Sequence, residues 1–384
     1  MRPTRRALQK GVAMGGASTI VGPGVSRAEA RAVAPEPSER GAMNEVAEAV
    51  VREFEVPGLS VAISAGGKLV YEEGFGFADR GTGEKVTPRH LFRIASLSKP
   101  ITSVAIFTLI ERGKLSLTDR VFGPGAVLGT DFGAPPYQRH VGDITIDHLL
   151  THTAGGWSND DADPMFGHDG KNHRQLITTV VADQALEKVP GEHYAYSNFG
   201  YCLLGRVIEK LTGASYRDFV RDQILARCGV RDMHIAGNTR EQRAPGEVVY
   251  YREASGDRDP YSLDVARMDS HGGWIASAPD LVRFLVHVDG FAGVPDILRP
   301  ETLRAMSKPS PVQADYASGW AVNANGNWWH FGGLAGTRTL MVRTSRGLCW
   351  AALTNRRWCD TGSYSAAIDR MMWNMVSKVK AWPT

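Results

Sequence analysis

Phe92-Arg93-Ile94-Ala95-Ser96-Leu97-Ser98-Lys99-Pro100 runs straight into Ile101-Thr102-Ser103-Val104-Ala105-Ile106-Phe107-Thr108-Leu109-Ile110, and the reading of this stretch decides the fold. From Ile101 to Ile110 the segment is apolar nearly all round. It reads as a helix buried through the centre of a domain, not one laid on its surface. Gly113 is a natural C-cap. Pro100 has no N–H and cannot sit in a helix interior, so the first turn begins there or just before. Ser96 is left at the N-terminal edge, with Lys99 about one turn along the same face.

That placement suits one kind of chemistry. A serine hydroxyl is a poor nucleophile until a nearby base takes its proton. A lysine can be that base only if burial and the positive helix end lower its pKa. Free backbone N–H groups at the same helix end can hold a developing oxyanion. The plain structural alternative is a serine N-cap beside a solvated lysine, and the all-apolar helix behind the pair weighs against it. A second S-x-x-K, Ser377–Lys380, falls at the end of a helical segment, the wrong pole of the dipole, and reads as chance.

Two later segments extend the constellation. Tyr196-Ser197-Asn198, the chain's one Y-x-N, follows Pro190-Gly191 and precedes the helical pattern of Leu203, Leu204, Val207, Ile208 and Leu211. A phenol there could relay a proton to a leaving group, and Asn198 could hydrogen-bond the carbonyl region of a substrate. A Tyr/Asn turn capping that helix is the alternative. His330-Phe331-Gly332-Gly333 ends a strand-like segment, and its glycines are expected to let an acyl group approach an edge strand closely. The H-x-G pattern recurs at His140, His168 and His271, which read as loop histidines.

Working outward, residues 1–30 differ from the rest. Arg5-Arg6, a Gly/Ala-rich weakly apolar run and Ala28-Glu29-Ala30 together read as a twin-arginine-like export leader, placing the mature protein in the periplasm or outside the cell. Residues 31–40 read as a linker and 41–384 as one domain. Within it, helical spacing over 42–54 precedes a hairpin of Leu59–Ser64 and Lys68–Tyr71 around Gly66-Gly67. The stretch 97–305 is mainly helical. Short apolar runs punctuated by Asn325-Gly326 and Arg346-Gly347 follow from Ala317, and a helix over 363–378 closes the chain. The expected fold is therefore α/β of the α+β kind. An antiparallel sheet is built from both chain ends (about 41–95 and 317–384) and flanked by helices. A helical lobe spans about 97–305, and the site lies in the cleft between the two.

Composition narrows the field. Five basic residues in the first 30 (Arg2, Arg5, Arg6, Lys10, Arg27) face only Glu29, so the formal net charge of +3 leaves the remainder near −1. No nucleic-acid partner is implied. Cys202, Cys228, Cys349 and Cys359 lack zinc-site spacing and read as buried thiols, with a Cys349–Cys359 link unsupported. Asp160-Asp161-Ala162-Asp163 lacks the spacing and closing Glu of a Ca²⁺ loop. G-x-S-x-G, Walker A, G-x-G-x-x-G and H-E-x-x-H motifs are absent. No metal or cofactor is expected, and after residue 30 no apolar run approaches the roughly 18 residues of a membrane span. Nothing in the sequence sets an oligomeric state.

With these residues in hand, the chain from about residue 44 onward resembles the serine β-lactamase-related superfamily of penicillin-binding-type hydrolases, which includes class C β-lactamases, D-Ala-D-Ala carboxypeptidases and family VIII esterases. The resemblance rests jointly on the segments 92–100, 149–155 (Leu-Leu-Thr-His-Thr-Ala-Gly), 196–201, 272–277 (Gly-Gly-Trp-Ile-Ala-Ser) and 330–333. It implies Ser96 as nucleophile, Lys99 as its base partner, Tyr196 as acid/base and Asn198 orienting substrate. It also implies an oxyanion hole of the Ser96 and Gly333 N–H groups. The division of the base role between Lys99 and Tyr196 stays open. Where lactamases of this kind carry Lys-Thr-Gly, this chain has His330-Phe331-Gly332, a histidine largely neutral at pH 7 in place of a permanent cation. An esterase-like preference for small esters or amides is therefore expected, ahead of D,D-peptidase or weak β-lactamase activity. An acyltransferase and a non-catalytic sensor domain are the remaining readings. Trp157, Trp328 and Trp329 are candidates for an acyl pocket, and Arg338 for a carboxylate contact.

Overall fold

The computed structural model describes residues 34–159, 163–166, 168–253, 258–358 and 360–382. The expected export leader, residues 160–162 of the acidic cluster and Cys359 lie outside them. Strands β1 (Gly58–Ala65), β2 (Lys68–Asp79) and β3 (Glu84–Lys85) come from the start of the domain. Strands β7 (Ala321–Val322), β8 (Trp328–Leu334), β9 (Thr337–Arg343) and β10 (Leu348–Thr354) come from its end. They form one sheet in the order β3-β2-β1-β10-β9-β8-β7. The two halves join where β1 runs antiparallel to β10, in register from Leu59 opposite Thr354 to Ala65 opposite Leu348. The chain ends share a sheet as expected.

Side-chain alternation shows how this sheet is covered. On β10, Trp350 and Ala352 belong to the core formed with helices α1 (Pro37–Glu53) and, at the chain end, Thr361–Val376. Cys349, Ala351 and Leu353 belong to the core on the opposite face. A strand buried on both faces is apolar throughout, and all eight residues of β1 are buried. The helix expected over 42–54 begins earlier, at Pro37, so the last part of the presumed linker is helical. Proline takes the first-turn position, and Glu36 and Glu39 form a reciprocal capping box.

Helix α2 (Ser98–Glu111) passes through the middle with every residue from Ser98 to Leu109 buried. Pro100 lies in its first turn, where a missing N–H costs nothing, and Gly113 (φ +66°) ends it. Helices α3 (His173–Asp183) and α4 (Asn198–Thr212) belong to the helical middle. Two features there differ from expectation. Strands β4 (Phe92–Arg93), β5 (His234–Ile235) and β6 (Trp274–Ala276) make a second small sheet, too short to leave a period-two pattern. Helix α5 (Ala278–Val286), within the span assigned to the helical lobe, packs on β1 and β10 and covers the inner face of the large sheet. The closing helix, α6, is Thr361–Val376. Among the described residues no helix is long and apolar enough to cross a membrane.

Candidate active site

Ser96 stands in a 3-10 turn, Ala95–Leu97, that leads into α2. Ala95 holds φ +50°, a left-handed conformation that a residue with a Cβ adopts at a cost of about 1–3 kcal/mol. The turn is clamped from β8 and β9: Thr339 Oγ1 donates to the Ile94 carbonyl at 2.9 Å, and a Cβ on Gly332 would sit 2.3 Å from that carbonyl oxygen and 2.2 Å from Thr339 Oγ1. The packing of β8 against the turn at Ser96 thus itself requires Gly332, a constraint separate from the expected approach of an acyl group. A Cβ on Gly333 would point the other way, 2.7 Å from an Arg338 guanidinium nitrogen.

Lys99 is fully buried. Its Nζ lies 3.0 Å from Ser96 Oγ, 2.7 Å from Asn198 Oδ1 and 3.1 Å from the His271 carbonyl oxygen. Burial lowers its pKa to about 7, against the opposing pull of Asp163. A neutral amine has two N–H donors and one lone pair. Asn198 Oδ1 and the His271 carbonyl are acceptors and take the two N–H groups, so the lone pair is left for the Ser96 hydroxyl. That is the geometry of a general base.

Tyr196 is partly buried. Its phenol hydrogen-bonds Ser96, its ring centroid lies 4.7 Å from Lys99 Nζ, and burial raises its pKa well above the usual tyrosine value. The phenol therefore keeps its proton at neutral pH and stands beside the Ser96 hydroxyl, where it could donate. Asn198 begins α4 with both ends of its amide engaged: Oδ1 faces Lys99, and Nδ2 donates to Asp163 Oδ2 at 2.7 Å. Its backbone N–H donates to Asn159 Oδ1 at 2.9 Å. The turn reading of this segment holds, since Ser197 Oγ caps the helix by accepting from Gly200 N–H, and the same turn sets Tyr196 and Asn198 beside Lys99.

His330 lies across the cavity, buried, with burial first and Lys99 second pushing its pKa down to about 3. Its neutral ring is fully occupied. Nδ1 lies 2.6 Å from the Phe331 carbonyl and Nε2 lies 3.2 Å from Tyr316 Oη, which in turn lies 3.1 Å from His152 Nε2. His152 Nδ1 accepts the Ser197 N–H at 3.1 Å. Because that N–H can only donate, each proton along the chain is assigned: His152 donates to Tyr316, Tyr316 to His330, and His330 to Phe331 O. No ring N–H is left for a substrate anion.

The cavity in front of Ser96 has a volume of about 860 Å³, with Tyr196, Asn198, Trp329, Phe331, Gly333 and Arg338 among its lining residues. Beyond Trp329, the outer edge of β8 pairs with no other strand among the described residues, because β7 reaches only Trp328 and Trp329. Arg258 and Arg338 bring positive charge to the cavity wall; Arg338 lies 5.1 Å over the Phe331 ring and hydrogen-bonds Ser365 Oγ. Of the three candidate tryptophans only Trp329 faces this space. Trp157 packs edge-on to Phe199, and Trp328 packs against Trp320. Among the described residues no cluster of three or more His, Cys, Asp or Glu side chains could hold a metal. Cys202, Cys228 and Cys349 are free and buried.

Several site groups escape the sequence reading. His271 was expected to be an ordinary loop histidine, yet its backbone carbonyl holds Lys99; a carbonyl leaves no side-chain signature. Tyr316 sits in a loop without a motif. Asp163 belongs to an acidic run read only as a solvated loop. His152 lay inside the quoted Thr151-His152-Thr153 segment, so a signal for it existed.

Comparison with known proteins agrees with this geometry. Residues 43–358 match the family model described as Beta-lactamase. Penicillin-binding protein 4* of Bacillus subtilis is 29% identical over 74% of this chain, which spans only 64% of that protein's length. Among solved structures, D-amino acid amidase from Ochrobactrum anthropi SV3 superposes with a TM-score of 0.72 at 21% identity, over 88% of this chain and 98% of its own. EstCE1, described as a hydrolase with promiscuous acyltransferase activity, gives a TM-score of 0.71 at 21% identity over the same shares.

Proposed function

The chain belongs to the beta-lactamase family and is a serine hydrolase, and from that premise we propose that it forms an acyl-enzyme on Ser96 and acts on small carboxylic esters or amides. The observation that carries this reading is the trio of contacts at Lys99 Nζ, which leaves one lone pair facing one hydroxyl. Neutral Lys99 takes the Ser96 proton as Oγ attacks the acyl carbon. The N–H groups of Ser96 and Gly333 hold the oxyanion at the open edge of β8. On collapse, the bond to the leaving group breaks and Tyr196 delivers the proton, recovering one from Lys99. Water then repeats the sequence on the acyl-enzyme and releases the acid.

The esterase-like preference rests on His330, a neutral ring with both nitrogens engaged where related lactamases place a cation. Arg338 favours a second reading, D,D-peptidase or weak β-lactamase activity, because it supplies a cation to the same cavity wall. The deciding experiment compares turnover of a short-chain aryl ester with that of a chromogenic cephalosporin, using Ser96→Ala as control. Serine-dependent turnover of the ester alone supports the first reading; comparable cephalosporin turnover moves the second to first place. Arg338→Ala should raise KM for a carboxylate-bearing ester and leave a neutral ester unaffected, and an unchanged KM removes the carboxylate contact. Alcohol added as acceptor, with ester product scored, tests for acyl transfer. Ligand binding that survives Ser96→Ala with no turnover by the parent protein would mark a sensor.

We also propose that residues 1–30 direct export by the twin-arginine route. Replacing Arg5 and Arg6 by lysine should leave the protein unprocessed in the cytoplasm; normal processing and secretion would reject that route.

A further inference from the structure

Asp163 lies outside the reacting groups, in a stretch whose composition suggests only solvent. Its environment says otherwise. Oδ2 accepts from Asn198 Nδ2 at 2.7 Å and Oδ1 accepts from the Met165 N–H at 2.9 Å, in a mostly buried position. A carboxylate only accepts hydrogen bonds, whereas a side-chain amide can present either end. Asn198 therefore turns its nitrogen to Asp163 and its oxygen to Lys99. Were the amide reversed, its nitrogen would donate to the lysine lone pair and withdraw it from Ser96.

We propose that Asp163 is a positioning residue of the hydrolytic reaction: it fixes the orientation of the Asn198 amide, and through it directs the lone pair of Lys99 at Ser96. The inference rests on the proposed role of Lys99 as base. Asp163 also acts on Lys99 by charge. Among the described residues, the groups facing Lys99 are Asp163, Tyr196 and Tyr201, and the buried histidines His152, His271 and His330, whose pKa values all lie below the usual histidine range. Asp163 is the anion among them. It favours the protonated lysine, so removing its charge makes Lys99 lose its proton at lower pH.

Two variants separate orientation from charge. Asp163→Asn removes the charge and one of the two acceptors: its single oxygen can serve Asn198 only by setting its nitrogen against the Met165 N–H, so kcat at its own optimum should fall, but by less than in Asp163→Ala, while the acid limb of kcat/KM moves down by about one pH unit. Asp163→Ala loses both: kcat should fall about 10- to 100-fold, with KM little changed and the limb displaced likewise. Thermal melts confirm that each variant is folded. An acid limb that stays where it is in both folded variants overturns the proposal, whatever the loss in rate, because a merely structural residue does not move it. Ser96→Ala, run alongside, keeps the two claims apart. Turnover that survives Ser96→Ala defeats the Ser96–Lys99 reading itself; serine-dependent turnover with an unmoved limb defeats only the role of Asp163.

Discussion

The chain contains the same four-residue pattern twice, at Ser96–Lys99 and at Ser377–Lys380, and the two have almost nothing physical in common. Ser96 precedes the first turn of a buried helix; Ser377 is the C-cap of α6, with its hydroxyl donating to the Asn374 carbonyl at 2.7 Å. Lys99 is fully buried and held by three groups, while Lys380 is exposed. At the first site, burial and the N-terminal end of a helix both disfavour a charged lysine. At the second, the side chain is open to water at the opposite end of a helix. Spacing alone makes no base. The surroundings that remove the proton do.

The largest expected effect follows from that contrast. Ser96→Ala should lower kcat/KM for an aryl ester by at least about 10³-fold, whereas Ser377→Ala leaves it unchanged. Steady-state assays of the two variants side by side check this, and comparable losses in both would break the distinction.

Next in size, Lys99→Met should cost about 10²- to 10⁴-fold in rate, the usual worth of a positioned base, while Lys380→Met costs nothing measurable. Rates of aryl-ester turnover for the two methionine variants test it.

A smaller effect concerns stability. The folded state lowers the pKa of Lys99 from 10.5 to about 7, so the unfolded chain holds the extra proton more tightly between those values. The cost of burying Lys99 is therefore fully present below pH 7, shrinks as pH rises, and is absent above 10.5. Lys99→Met should raise the thermal midpoint most at pH 6–7 and lose that advantage toward pH 10, a trade of activity for stability. A gain that does not vary with pH would mean that Lys99 titrates normally.

What the sequence reveals and conceals divides along physical lines. The buried helix was legible because seven of the ten positions from Ile101 to Ile110 are apolar and none is charged. The shared sheet was legible because hairpin punctuation marks both chain ends. Ser96, Lys99, Tyr196 and Asn198 converge on one site because each sits at or near the start of a helix that could be read; His330 joins them from within β8, not from the end of a strand as expected. The small sheet β4-β6-β5 was not legible, since strands of two or three residues carry no period. Nor was the packing of α5 on the large sheet, because an amphipathic helix does not say which layer its apolar face meets. One reason for Gly332 was hidden: its missing Cβ makes room for the Ile94 carbonyl, a contact between residues more than two hundred positions apart. The groups that hold Lys99 were hidden for a related reason. One is a backbone carbonyl, and another, Asp163, makes no direct hydrogen bond to Lys99 and reaches it by charge and through Asn198.

The most direct test of the central claim is to find where the acyl group goes. The protein is mixed with an activated aryl ester, quenched in acid during turnover and digested, and the acylated peptide is identified by mass spectrometry. The account predicts one acyl mass on the peptide carrying Ser96, absent from Ser96→Ala and absent from the peptide carrying Ser377. Acylation at any other residue, or turnover through an unmodified Ser96 under conditions where a slow-deacylating ester also leaves no adduct, would contradict it.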